Sequence, residues 1–144
     1  MTKEVLLHIK GMQFSQEVSE EEAENIETIC PGEYFFRNNA HYILYEEVME
    51  GETEPIKSMI KIKDGECIVT KKGAYQVQMA FEAGKKTLTD YNTPFGNIMI
   101  GLDTTTLLLE ETENQINILI KYGLEANYQY VADCTISIEV DAHA

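Results

Sequence analysis

The feature that most constrains this chain is a strict alternation of apolar and polar residues along much of its length. In residues 115–128, every second position is apolar or aromatic. These positions are Ile116, Ile118, Ile120, Tyr122, Leu124, Ala126 and Tyr128. The same period recurs in residues 56–63, 75–82 and 134–140. Because a β-strand turns successive side chains to opposite faces, the alternation predicts strands with one buried and one solvated face, which is typical of antiparallel sheets.

Turn residues separate the alternating runs. Asn38-Asn39, Asp64-Gly65 and Ala83-Gly84 fall between them, and Asp-Gly is a strong signal for a two-residue hairpin. The predicted strands cover residues 3–14, 26–37, 40–49, 55–63, 66–72, 75–82, 86–92, 97–103, 105–111, 115–128 and 132–140. Short connections between antiparallel strands make a meander, and closing the sheet removes the exposed edges that an open sheet would have. We therefore predict an all-β fold, a single closed antiparallel meander β-barrel of about 9–11 strands, as one domain over residues 1–144.

The chain is strongly acidic, with 25 Asp and Glu residues against 11 Lys and Arg residues and a formal net charge of −14. Nucleic acids and anionic membranes attract clustered basic residues, so we expect neither as a partner. The three cysteines form no CxxC pair and no zinc-type spacing with the three histidines, so we expect reduced thiols and no metal. Only three consecutive apolar residues, Val5 to Leu7, stand near the N-terminus, which predicts a cytoplasmic protein without a signal peptide or membrane span.

Residues 91–101, YNTPFGNIMIG, combine turn residues with two aromatic side chains. Pro94 suits the second position of a type I or II turn, and Gly96 suits the fourth position of a type I turn. The stretch therefore predicts a turn between two strands. Tyr91 and Phe95 would then stand at the mouth of the barrel, where a rigid turn can carry a gate.

No arrangement of residues predicts catalysis or a cofactor. The chain contains no Ser-His-Asp order, no Walker loop, and neither an HExxH nor a GxSxG motif. His8 lies within the first predicted strand and His41 follows the Asn-Asn turn, and we interpret both as surface or interface residues.

Two adjacent carboxylates lie at the end of a predicted strand. Glu46 and Glu47 are neighbours in sequence, so they point to opposite faces of the strand and do not form a paired carboxylate site. If Tyr45 points into the barrel, then so does Glu47. A buried carboxylate would need a partner, for which Arg37 and Lys72 are the candidates.

Several short motifs resemble, in their order and spacing, those of a family of small bacterial proteins. They are the run from Tyr91 through Phe95-Gly96 to Asp103-Thr104, Tyr45-Glu46-Glu47, Gly32-Glu33-Tyr34, Met79 to Phe81, Tyr122 and His143-Ala144. On these residues, which span nearly the whole chain, the sequence resembles the YwiB-like family. The resemblance implies a closed barrel of the calycin (lipocalin-like) type and no activity, because that family is a domain of unknown function. The family tends to have an Arg before the glycine matched to Gly73, and Lys72 supplies only a point charge there.

Tyrosines on the predicted strands are the strongest functional indication. A barrel of about eight strands or more can hold one small ligand, and such pockets are mostly apolar with a few polar groups. We therefore predict binding of a small, mostly apolar molecule, a lipid or metabolite, in the interior or mouth of the barrel. The alternative is that these rings simply fill the barrel. The candidate contacts are Tyr45, Glu47, Lys72, Tyr75, Phe81, Tyr91, Phe95 and Tyr122. The alternation in residues 40–47 and 66–72 fits two phases that differ by one residue, and the inward positions there depend on the phase.

Two other functions stay open. The first is a protein-interaction module that acts through the barrel rim or through the acidic residues 15–25, for which the charge favours a basic partner. In that segment Ser19 and Glu22 form a capping box that would start a helical turn near residues 20–25, and a solvated hairpin loop fits the segment equally well. The second, less favoured, is an enzyme with a His or carboxylate pair on neighbouring strands. The pattern fits either a monomer or a homodimer.

Overall fold

The computed structural model describes residues 2–11, 27–47, 54–73, 76–93 and 96–142, and the regular elements of this part of the chain are all β-strands. The strands are β1 (Thr2–Lys10), β2 (Glu27–Arg37), β3 (Ala40–Glu47), β4 (Ile56–Lys63), β5 (Glu66–Lys72), β6 (Gln76–Glu82), β7 (Lys85–Thr93), β8 (Gly96–Glu111), β9 (Gln115–Ala126) and β10 (Gln129–Ala142). The described residues form no helix that could span a membrane.

Each strand pairs antiparallel with the next one along the chain, and the first strand pairs with the last. Val5 of β1 lies opposite Gly32 of β2 on one side and opposite Ala142 of β10 on the other. This double pairing closes the sheet into a barrel, so the predicted all-β closed meander is confirmed.

The barrel has two ends, which we name from the first strand. The proximal end is the one at which β1 begins, and the distal end is the one at which β1 ends. The proximal end carries the connections at residues 38–39, 64–65, 83–84 and 112–114. The distal end carries, among others, the connections at residues 94–95 and 127–128. Thr93 pairs with Gly96, so the predicted hairpin between β7 and β8 is confirmed.

Among the turns that the structure describes, three two-residue turns have positive φ at both central residues, as type I′ hairpins require. These residues are Asn38 (53°) and Asn39 (61°), Asp64 (50°) and Gly65 (77°), and Asn127 (50°) and Tyr128 (69°). Asn and Asp tolerate the left-handed conformation because their short polar side chains bond locally. At the third turn, the backbone N–H of Met99 donates to Asn127 Oδ1 (3.1 Å), and the N–H of Asn127 donates to the Met99 carbonyl (2.7 Å).

Two details of the prediction are corrected. Residues 97–103 and 105–111 belong to one long strand, β8, in which the pairing with β9 shifts register between Thr104 and Thr106. Tyr128 was predicted on the buried face of its strand, but it lies in the turn after β9 and is exposed. The strand ends two residues earlier because the left-handed turn interrupts its alternation. The acidic residues 15–25 lie outside the described residues, as do Tyr75, Phe95 and His143.

Every strand contributes to one apolar interior. The large apolar side chains that are buried almost completely are Leu7, Ile43, Ile60, Val69, Met79, Phe81, Leu102, Ile118, Ile120, Ile136 and Ile138. They follow the predicted period of two, since Ile116, Ile118, Ile120 and Tyr122 all point inward from β9. Burying side chains of this size stabilises a fold by roughly 1.5–3 kcal/mol each, before the loss of chain entropy is counted.

Candidate functional site

A cluster of polar side chains stands inside the distal end of the barrel, on the wall that β3, β4 and β5 form. Tyr45 lies opposite Ser58, and Ser58 lies opposite Lys71, so three inward side chains stand side by side across the three strands. Glu47 follows Tyr45 on the same face of β3. We call these four residues, Tyr45, Glu47, Ser58 and Lys71, the distal polar cluster.

An ion pair holds the distal polar cluster together. Lys71 Nζ donates to Glu47 Oε1 at 2.9 Å, and the Lys71 and Glu47 side chains are only 6% and 19% exposed. The same ammonium lies 6.0 Å from the centre of the Tyr45 ring, a distance at which cation–π attraction contributes. Lys71 thus places a charge inside a barrel that is otherwise mostly apolar, and Glu47 balances it.

Burial and the Glu47 charge also act on neighbouring groups. Burial raises the pKa of the Tyr45 hydroxyl, and the Glu47 carboxylate raises it further. Burial likewise raises the pKa of the Cys30 thiol, Glu47 adds to the rise, and Lys71 opposes it. Both groups therefore keep their protons near neutral pH. Ser58 Oγ is buried beside the Tyr45 hydroxyl, but it completes no hydrogen bond of good geometry within the described residues.

The other strands complete the distal end with apolar and aromatic groups. Tyr91 is buried, while Ile98, Leu124 and Cys134 are partly buried and pack against the core. Deeper in the barrel, the rings of Phe81 and Tyr122 lie 5.0 Å apart and are tilted by 58°. The distal end therefore has one polar wall and an apolar remainder.

The structure supports most of the predicted inward positions and changes one. Tyr45, Phe81, Tyr91 and Tyr122 are buried, and Glu47 is half-buried on the inward face of β3. Lys72 is exposed, and its neighbour Lys71 is the lysine that enters the barrel. Of the two phases open for residues 66–72, β5 therefore has the one that turns Lys71 inward, and the candidate Lys72 is corrected.

The partner predicted for Glu47 is corrected in the same way. Arg37 lies exposed at the proximal end, and Lys72 points outward. Glu47 pairs instead with Lys71. Tyr75 and Phe95, the remaining predicted contacts, lie outside the described residues, so the predicted gate stays a prediction.

A second group of polar residues stands at the proximal end. The Tyr34 hydroxyl lies 2.7 Å from His41 Nδ1, and His41 Nε2 lies 3.4 Å from Glu111 Oε2. Burial raises the pKa of Tyr34, and the Glu111 charge adds to the rise. His41 was predicted at the surface, but its side chain is only 11% exposed because it shares the inward face of β3 with Ile43.

Tyr34 and Glu111 line a cleft of about 90 Å³ at this proximal end. Val5, Ile116 and Val140 form its apolar floor. The raised pKa of Tyr34 argues against an activated nucleophile, because a tyrosinate would be needed for attack. His8, in contrast, lies at the surface as predicted, where its Nε2 is 2.9 Å from Glu27 Oε2.

The cysteines give no metal site. Cys30, Cys67 and Cys134 form no disulfide. Among the residues that the structure describes, no group of three or more His, Cys, Asp and Glu side chains is placed to hold a metal ion.

Stability should fall in alkaline solution, because buried acids keep their protons in the folded state. Burial raises the pKa of Cys67 from 9.0 to about 12, and burial also raises the pKa values of Tyr45 and Tyr122. Above about pH 9 the folded chain therefore binds more protons than the unfolded chain, so the free energy of unfolding decreases from about pH 9 through about pH 12. Urea denaturation from about pH 8 to about pH 11 should show this decrease.

A Cys67→Val variant tests the assignment, because it removes one of these acids and keeps the buried volume similar. We expect its free energy of unfolding to fall less steeply with pH than that of the wild type. Equal slopes for the two proteins would show that Cys67 does not take part.

Comparison with known proteins places the chain in a family. Residues 7–138 match the family described as "Domain of unknown function (DUF1934)". An "Uncharacterized beta-barrel protein YwiB" from Bacillus subtilis (strain 168) is 26% identical over 145 residues, with 97% of this chain and 96% of that protein covered. The crystal structure of the ywiB protein from Bacillus subtilis has a TM-score of 0.78 and 22% identity, over 99% of this chain and 94% of that chain. At this identity the structural likeness shows the fold alone.

The comparisons agree with the architecture and with the predicted YwiB-like resemblance. Since the matched residues 7–138 cover most of the 144-residue chain, the protein belongs to the DUF1934 family of unknown function.

Proposed function

We propose that the protein binds one small, mostly apolar molecule at the distal end of the barrel, without catalysis, and holds an uncharged oxygen of that molecule against Lys71. The observation that carries this proposal is the Lys71–Glu47 ion pair inside a mostly apolar barrel. In this proposal the ligand enters the barrel at its distal end, as in lipocalins, and the protein is cytoplasmic.

Stability alone does not account for the ion pair. Removing two charges from water costs several kcal/mol per ion, and well-packed apolar side chains of similar volume often stabilise a fold as much or more. Ile43, Ile60 and Val69 on the same three strands show that this wall accepts apolar side chains elsewhere. A role in recognition accounts for the charged residues at this position.

The donors of the distal polar cluster favour an acceptor group on the ligand. A lysine ammonium has three N–H donors, and among the described residues one of them is used, by Glu47. The Ser58 hydroxyl adds a buried donor. A ligand carbonyl or hydroxyl oxygen would meet both groups.

The charge balance favours an uncharged ligand. Glu47 already neutralises Lys71, so a carboxylate ligand would bring a second negative charge into a poorly solvated site with nothing to balance it. The apolar remainder of the distal end, with Tyr91, Ile98 and Leu124, suits a hydrocarbon body.

Titration with matched probes tests the proposal. The probes are 2-decanone, decanoate and decane, which share a chain length and differ in the head group. We expect saturable binding with the order 2-decanone, then decane, then decanoate, followed through the ¹³C resonance of the ketone carbonyl and through protein amide resonances of β3 to β5. Failure of 2-decanone to bind, or tighter binding of decanoate, would contradict the proposal.

Adjacent lysines provide a matched control. Lys71→Met removes the donor and should weaken 2-decanone binding by about tenfold or more, since a hydrogen bond to a charged donor contributes about 1.5–3 kcal/mol. Lys72→Met changes an exposed residue and should leave binding unchanged. If both variants lose binding equally, the effect does not arise from the distal polar cluster. The double variant Glu47→Leu/Lys71→Met, which leaves no unpaired charge, shows whether the loss persists in a stable fold.

A further inference from the structure

The outer half of β8 extends beyond its neighbour β7. The pairing of β7 with β8 runs from Gly96 to Thr104, where the backbone N–H of Gly84 donates to the Thr104 carbonyl at 2.9 Å. The pairing of β8 with β9 continues as far as Glu111. Residues Thr105–Glu111, which we call the β8 edge, therefore pair on one side only among the residues that the structure describes.

The first five residues of the β8 edge lack the usual protection of an exposed strand. Natural edges carry Lys, Pro or inward charges that prevent pairing with another chain. Residues 105–109, with the sequence TTLLL, contain no charged residue, no Pro and no Gly. Leu108 and Leu109 are 54% and 41% exposed. Such an edge offers both its backbone groups and apolar side chains to a partner strand.

The sequence of the β8 edge is complementary to itself. When two copies run antiparallel with the two-fold axis at Leu108, Leu108 faces Leu108 of the second copy, and Leu107 faces Leu109. Glu110 and Glu111 then face Thr106 and Thr105, so no acidic residue stands opposite another. A register centred on Glu110 would place two carboxylates directly opposite each other, which is destabilising.

We propose that the β8 edge pairs with the β8 edge of a second copy of this chain, in an antiparallel arrangement with a two-fold axis at Leu108. The pairing joins the two barrels through a continuous sheet across β9, β8 and the same two strands of the second copy. It satisfies the open backbone groups of residues 105–111 and covers Leu108. The proposal does not depend on ligand binding at the distal end.

Sedimentation of the full-length chain over a wide concentration range tests the proposal. We expect a monomer–dimer equilibrium for the wild type. Leu108→Lys should raise the dimer dissociation constant by about tenfold or more, because it places two lysines opposite each other at the axis. Leu88→Lys is the matched control, since Leu88 on β7 is also 54% exposed but lies outside the β8 edge, opposite Gly101 of β8, and it should leave the equilibrium unchanged.

Cross-linking tests the register. Residues directly opposite each other in antiparallel strands have Cα atoms about 4.5–5.5 Å apart, within the range of a disulfide. Leu108→Cys should therefore form a covalent dimer on mild oxidation, whereas Leu88→Cys and the wild type should not. A wild type that is monomeric at every concentration, or a Leu108→Lys variant that dimerises as the wild type does, would overturn the proposal.

Discussion

Replacing Glu47 with Leu is expected to lower the free energy of unfolding by about 3–5 kcal/mol, because the change leaves the Lys71 ammonium buried without its counter-charge. Lys71→Met should cost less, about 1–3 kcal/mol, since Glu47 is the more exposed partner and its carboxylate can turn toward solvent. The measurement is urea denaturation followed by circular dichroism, because the chain has no Trp for fluorescence.

The double variant Glu47→Leu/Lys71→Met separates the interaction between the two charges from the effect of each charge alone. Removing both charges leaves no uncompensated ion, so its stability should lie within about 1 kcal/mol of the wild type or above it. The double-mutant cycle then gives a coupling energy of about 3 kcal/mol or more, at or above the upper end of the range for residues in contact. If the two single changes simply add, the ion pair does not form in solution.

This cycle also separates stability from function. A double variant that is as stable as the wild type but no longer binds 2-decanone would mean that the charges serve recognition and not folding. Natural proteins commonly give up stability at binding sites in this way.

The period of two predicted most of the fold because nearly every strand has one apolar face inside the barrel. The same pattern could not set the phase of β5. Its sequence ends in Lys71-Lys72, and the two residues are identical, so either could be the inward one. What decides is the cross-strand pairing, in which Lys71 lies opposite Ser58 and beside Glu47. A pairing between strands is not visible in the alternation of any single strand.

The proximal group was missed for a related reason. Tyr34, His41 and Glu111 come from three different strands, and Glu111 reaches His41 only because β8 runs on past the end of β7. The alternation pattern predicts two strands in place of β8, divided at Thr104, because the bulge there shifts the alternation by one residue. That division hid both the contact with His41 and the open edge of residues 105–111.

Replacing Phe81 with Ala is expected to cost about 3–5 kcal/mol of stability, the range for removing a buried aromatic side chain from a packed core. Phe81 is fully buried, lies opposite Cys67, and packs against the ring of Tyr122. Its loss leaves a cavity that β6 cannot readily close, because the pairing with β5 along residues 76–82 holds the strand in the closed barrel. Urea denaturation gives the change, with Leu88→Ala as a control that should stay within about 0.5 kcal/mol because Leu88 is exposed.

Phe81 was also a candidate ligand contact, and the same variant decides between packing and binding. If Phe81 only fills the barrel, the Phe81→Ala protein should be less stable yet bind 2-decanone at the distal end with unchanged affinity when assayed well below its unfolding midpoint. If the ligand reaches down to Phe81, affinity should change as well, since the hydrocarbon body would lose or gain contacts in the new cavity. If Phe81→Ala lowers the free energy of unfolding by less than about 1 kcal/mol, the interior is not tightly packed. Only an already loose core tolerates the removal of a ring at so small a cost.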